Sequence, residues 1–135
     1  MFQNESRLLI ADNSGAKELL IIRCLGGSNR KFSKIGDRVI ATVKKAKPLG
    51  NAGKGDIVMA LIIASKKGLG RSNGSFINFS KNYAILIKKE ERRKKDKGQP
   101  FKPIGTVISV PVLREFKEWG YSEKFFEKVS NLVWI

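Results

Sequence analysis

A succession of short apolar runs, each closed by turn formers, constrains this chain more than any other feature. "RLLIA" (7–11) and "ELLIIRCL" (18–25) are parted by "DNSGAK", a cluster of Asp, Asn, Ser and Gly. In "GDRVIATVKKA" (36–46), Val39, Ala41 and Val43 point one way while Thr42 and Lys44 point the other. That period of two belongs to a strand with one buried face. "GDIVMALIIAS" (55–65) is more continuously apolar, and "SFINF" (75–79), "YAILIK" (83–88) and "IGTVISV" (104–110) follow at close spacing. Many short strands with Gly-rich turns predict a mainly β protein, a small closed or nearly closed barrel rather than a parallel sheet.

The tail has a different period. Pro111 suits the first turn of a helix, "PVLREFKEW", which Gly120 would end. Ser122 is a fair N-cap for "EKFFEKVSNLV", where Phe125, Phe126, Val129 and Leu132 share one helical face. Those rings, with Trp119 and Trp134, are expected to pack against the barrel. The 135 residues therefore predict one domain, 1–135, with a helical C-terminal segment at 111–135. Between two strands lies "KKEERRKKDKGQPFK" (88–102), a basic insertion with little apolar content, expected as a long exposed hairpin loop or extended ribbon.

"PLGNAGKGD" (48–56) looks at first like a nucleotide-phosphate loop. Only Asn51 and Ala52 separate Gly50 from Gly53, and Gly55 stands where a P-loop needs a hydroxyl. "IVMALIIA" follows it, a strand and not the helix such a loop opens. It reads as a strand-to-strand turn with Lys54 at its tip, in which Gly53 and Gly55 supply glycine geometry.

Charge narrows the function. Lys and Arg number 27 against 12 Asp and Glu, a net charge of +15. A surplus of that size attracts polyanions, which are nucleic acid or an anionic membrane surface. No apolar run approaches the roughly 18 residues of a membrane span. The first residues lack a signal-peptide core and an arginine-rich transit helix, so the chain is expected to work where it is made. With no histidine and one cysteine, Cys24, Cys/His zinc sites and internal disulfides are excluded within one chain, and no cofactor is expected. The commonest general base is missing as well. Ser14 and Lys17 offer a conceivable nucleophile pair, an accident easily met in a lysine-rich chain. The expectation is a protein that is not an enzyme.

The cations are organised. "KKAKPLGNAGK" carries Lys44, Lys45, Lys47 and Lys54, and "SKKGLGRSNGSFINFSKN" carries Lys66, Lys67 and Arg71 without one acidic residue. "GGSNRKFSK" adds Arg30 and Lys31, and the insertion adds Arg92, Arg93, Lys94 and Lys95. Glycines let backbone approach a phosphate, and the flanking cations supply charge. Such contacts position without reading sequence, which suits a folded RNA. Loop aromatics for stacking are few, Phe32 and Phe101 being the exceptions.

These residues also resemble the large-subunit ribosomal protein family L-fourteen. "ADNSGAK", "CLGGSNRK", a "GD" opening a strand, and "KKGLGRSNGSFINFSKNYAILI" occur in the family's order. Its signature is met by Ala60-Leu61-Ile62-Ile63, Asn73-Gly74, Phe79, Asn82 and Ile85-Leu86. "KPIGTVISVPVLRE" and "SEKFFEKV" extend the similarity over most of the chain. The resemblance implies a five-stranded β-barrel with a β-ribbon hairpin and short C-terminal α-helices, bound to large-subunit rRNA. It further implies contact with neighbouring ribosomal proteins and with small-subunit rRNA in an intersubunit bridge. Asn13, Ser14 and Lys17 would join the basic loops as rRNA contacts. The surface near Thr106 and Val107, with Lys124, would meet proteins, among them a ribosome-silencing factor; Val107 replaces the arginine of bacterial relatives.

The insertion, the extra residues in "EFKEWGYSEKF" and the Lys/Ile/Asn-rich composition suggest an organelle-encoded, mitochondrial version, with a bacterial origin open. The function expected is a structural constituent of the large subunit. A free-standing barrel that binds RNA or DNA outside the ribosome is the alternative.

Overall fold

The computed structural model describes residues 2, 5–25, 32–48, 50, 53–89, 101–121, 125–127 and 129–135. Four strands, β1 (Arg7–Ile10), β2 (Ala16–Cys24), β3 (Arg38–Ala46) and β4 (Ile57–Ala64), run as an antiparallel meander. Two short strands, β5 (Leu69–Gly70) and β6 (Phe76–Ile77), pair as a separate ribbon. β7 (Tyr83–Lys89) then returns antiparallel to β4 and closes the five-stranded barrel by pairing parallel to β1, Leu9 opposite Tyr83 and Ile10 opposite Ala84. β8 (Phe101–Pro103) lies outside the barrel, along the other end of β7. Register shifts in the β2–β3 pair, between Ile21 and Arg23 among others, curl it towards closure.

The alternation read from β3 holds: Val39, Ala41 and Val43 are fully buried. Residues 60–64 of β4 are all buried, so both faces of that strand are covered. The C-terminal Val112, Leu113, Phe116, Phe125 and Phe126 belong to the same apolar cluster.

The edge of β7 passes from one partner to the next. Ala11 N–H donates to Ala84 O at 3.0 Å, but β1 has already ended. The next donor, Leu86 N–H, is taken by the Asp12 carboxylate at 3.0 Å, and Leu86 O accepts from Ile104 N–H at 3.0 Å. β8 completes the edge at 87–89. A side chain thus replaces a strand where the main chain turns away, and no donor on a buried residue is wasted there.

Three expectations change. Residues 104–110 form no strand beyond one bridge between Asp12 and Ile108. Their N–H groups go to separate acceptors: Thr106 to the Asn13 side chain, Ile108 to that of Asn131, and Ser109 to Ala11 O. The helix expected from Pro111 shrinks to α1 (Glu115–Glu118). Val112 N–H and Arg114 N–H instead donate to the carbonyls of Val133 and Ile135, so the preceding residues are spent on the chain terminus. Gly120 does end α1, at φ 92°, with Tyr121 N–H donating to Phe116 O.

Ser122, the expected N-cap of the second helix, lies outside the described residues; among those described, 125–127 form a turn and Ser130 N–H donates to Thr106 O. The apolar face expected of that helix is nonetheless buried at Phe125, Phe126 and Val129. Trp119 stays partly in solvent. Of the insertion, 90–100 lies outside the described residues, and Lys89 pairs opposite Phe101 where β7 meets β8.

Candidate nucleic-acid interface

The loop after β3 is folded back onto the turn at 14–15. Lys47 N–H donates to Gly15 O at 2.7 Å. Gly50 approaches so closely that a Cβ there would stand 2.7 Å from Gly15 Cα. Across the β2–β3 pair, Ala16 faces Ala46 and Glu18 faces Lys45. These contacts gather Lys17, Lys44, Lys45, Lys47 and Lys54, all exposed, at one end of the barrel.

Lys54 stands in a hairpin turn. Asp56 Oδ2 accepts from Gly53 N–H at 2.8 Å, and Gly55 N–H donates to Val43 O at 2.8 Å. Gly55 has φ 91°, whereas Gly53 lies outside the left-handed region. A Cβ on Gly55 would meet nothing within 4 Å, so a side chain there meets only backbone strain. Gly55→Val is expected to cost about 1–2 kcal/mol in a thermal melt, and Gly53→Ala less than about 0.5 kcal/mol. Equal melts for Gly55→Val and the wild type would contradict this geometry.

The second basic loop is set by Ser65 and Asn82. Asn82 Oδ1 accepts from Lys66 N–H at 2.9 Å and Ser65 Oγ from Lys67 N–H at 3.1 Å, leaving both lysines exposed at the bend. Lys66, Lys81 and Arg7 line one cleft of about 310 Å³, with Glu18 beside them. Glu18 Oε1 accepts from Arg7 at 2.6 Å and its Oε2 lies 3.6 Å from Lys45. The Arg7 hydrogen bond holds the Glu18 carboxyl below its ordinary value, so it stays charged to lower pH than a free glutamate. Glu18 joins the two groups: Lys45 stands at the end of β3, next to the first loop, and Arg7 continues through the cleft to Lys66. The cations form a band along the barrel.

Several expected contacts are engaged elsewhere. Ser14 is buried and donates its hydroxyl to Asp12 Oδ1 at 2.6 Å, so its side chain is engaged within the turn and is not an exposed nucleophile. Asn13 is exposed, but its Oδ1 accepts from Thr106 and Val107 N–H, and its Nδ2 donates to Thr106 Oγ1 at 3.0 Å. It anchors the 104–110 segment. Arg71 Nη2 donates to Ile135 O at 2.7 Å, and its Nε lies 3.0 Å from Glu115 Oε1, off the hydrogen-bond direction. Arg71 is a fastener of the C-terminus and not a free cation.

Thr106 and Val107 are exposed on their anchored segment. Arg30, Lys31, Arg92, Arg93, Lys94, Lys95 and Lys124 lie outside the described residues. Arg7 and Lys81 were not expected here, because only closure of the barrel brings them to Lys66. Phe101 is buried beneath the Arg38 guanidinium, 4.2 Å from its ring centroid, and is no stacking platform. Among the described residues, no three His, Cys, Asp or Glu side chains gather as a metal site.

A family model described as ribosomal protein L14p/L23e matches residues 1–132.

Proposed function

The chain belongs to the ribosomal protein L14p/L23e family and is a large-subunit ribosomal protein, and from that premise we propose that it binds large-subunit rRNA through the cation band on its barrel. The observation that carries this reading is the continuity of Lys45, Arg7, Lys66 and Lys81 around the Glu18 carboxylate. Spread along a rigid barrel, they match a run of phosphates and not one anion. The role is structural: the barrel positions RNA and performs no reaction on it.

The Thr106–Val107 surface, held rigid by Asn13, is the proposed contact for neighbouring proteins, including a silencing factor, near a bridge to small-subunit rRNA. The family resemblance and the exposure of both residues support that assignment. The Lys/Ile/Asn-rich composition supports a mitochondrial home.

Sedimentation tests the function. The protein should co-migrate with large subunits through a high-salt wash. Quantitative release into the free fraction would favour a module that acts outside the ribosome.

A further inference from the structure

A second cleft, about 350 Å³, opens where the ribbon meets the residue following α1. Ile35, Leu69, Phe76 and Trp119 line it, and Lys34 and Lys67 stand among them. Phe76 is 65% exposed and Trp119 37%, so neither ring is spent on the core. Both are nevertheless held in place. Trp119 packs edge-on against the buried Phe116 at 5.2 Å. Its indole lies so close over Gly36 (φ 93°) that a Cβ there would stand 2.7 Å from the ring. Gly36 N–H is itself bonded to Ile62 O in β4, at 2.8 Å. On the ribbon side, Gly68 has φ 77°, and a Cβ there would overlap the Ile77 carbonyl oxygen. Gly68 therefore lies close against the main chain that follows Phe76.

We propose that this cleft takes an unpaired nucleobase of RNA, stacked on Trp119 and Phe76, with Lys34 and Lys67 at its flanking phosphates. The inference rests on the rRNA-binding reading and names the part of the RNA that this surface selects. An aromatic face accepts any base, because every base has a π-face. The volume falls within the roughly 300–1,000 Å³ of small-ligand clefts. No acidic residue lines it, and Lys67 belongs to the basic loop already assigned to phosphate. An apolar protein side chain would fill the same space and leave both ammonium groups unused. A nucleotide uses the rings and the cations together.

The test uses the full chain and two RNA hairpins that differ by one bulged adenosine. The wild type should prefer the bulged hairpin by about tenfold, as one stacked base implies. Phe76→Ala and Trp119→Ala should each lose most of that preference while keeping their affinity for the paired hairpin. In a Trp134→Phe background, Trp119 emission should be quenched by the bulged hairpin and not by one with an abasic bulge. Phe76→Ala carries the test if Trp119→Ala melts early, since the Phe76 ring is mostly in water.

Equal binding of both hairpins by the wild type, or an unchanged preference in the variants, overturns the cleft assignment and leaves rRNA binding standing. Failure to bind either hairpin removes both. A self-association abolished by Trp119→Ala would assign the cleft to a second copy of the chain, and so overturns the proposal too.

Discussion

Asp12→Ala is expected to lower the unfolding free energy by about 3 kcal/mol, from the loss of charge-assisted hydrogen bonds and an orphaned donor. One carboxylate accepts from Ser14 N–H at 3.1 Å, Ser14 Oγ–H at 2.6 Å and Leu86 N–H at 3.0 Å. Leu86 is fully buried, so its amide would find no water once the acceptor is gone. The 11–14 turn that holds 106–109 in place would loosen with it. The melting temperature should fall by roughly 10 °C. Asp12→Asn keeps one acceptor oxygen, which can serve Ser14 or Leu86 but not both, and should lose about half as much. A melt of Asp12→Ala within about 0.5 kcal/mol of the wild type would mean the carboxylate does not bridge the edge of β7.

Phe116→Ala should cost about 3–5 kcal/mol, the usual range for emptying a buried phenylalanine site. Phe116 is fully buried and sits between Trp119 at 5.2 Å and Tyr121 at 5.8 Å. Tyr121 passes the contact to Phe125 at 4.9 Å, Phe125 to Phe126 at 4.7 Å, and Phe126 to Trp134 at 5.6 Å. The C-terminal chain is therefore one aromatic file laid against the barrel. Urea unfolding followed by far-UV circular dichroism should show a single transition at lower denaturant. An unaltered main transition, with only tryptophan emission changed, would make the C-terminus a separable appendage.

Both residues show where local pattern was enough and where it was not. Strand β3 could be read from Val39, Ala41 and Val43 because its partners impose the period of two that its own residues carry. Residues 104–110 have the same β-branched composition, yet their acceptors are Asn13, Asn131 and Ala11, which no local pattern announces. At Phe125, Phe126 and Val129 the sequence foretold burial correctly and conformation wrongly. The competition was settled by the pairing of the last residues with Val112 and Arg114.

The interface divides the same way. The exposure of Lys44, Lys45, Lys47 and Lys54 was legible because they lie at the end of β3 and in the Gly-rich loop that follows it. Arg71 looked equivalent and was consumed by Glu115 and the terminal carbonyl, partners distant in sequence. Arg7 and Lys81 were invisible for the converse reason, since their neighbourhood exists only once β1 meets β7. Phe76 and Trp119 read as ordinary apolar residues until the fold left them facing a cleft.

Rigid cations on the barrel that neutralise RNA phosphates must leave a signature in salt, because each neutralised phosphate releases counterions. The direct measurement is the affinity of the full chain for large-subunit rRNA fragments as salt is raised from low to moderate. It should be repeated for a variant carrying Lys44→Ala, Lys45→Ala, Lys47→Ala and Lys54→Ala together. For the wild type, log K should fall linearly and steeply with log salt; in the variant the slope should be shallower by roughly 3, at about 0.7–0.9 per lost contact. A wild-type slope near zero, or a variant slope that does not change, would contradict an interface built on those lysines.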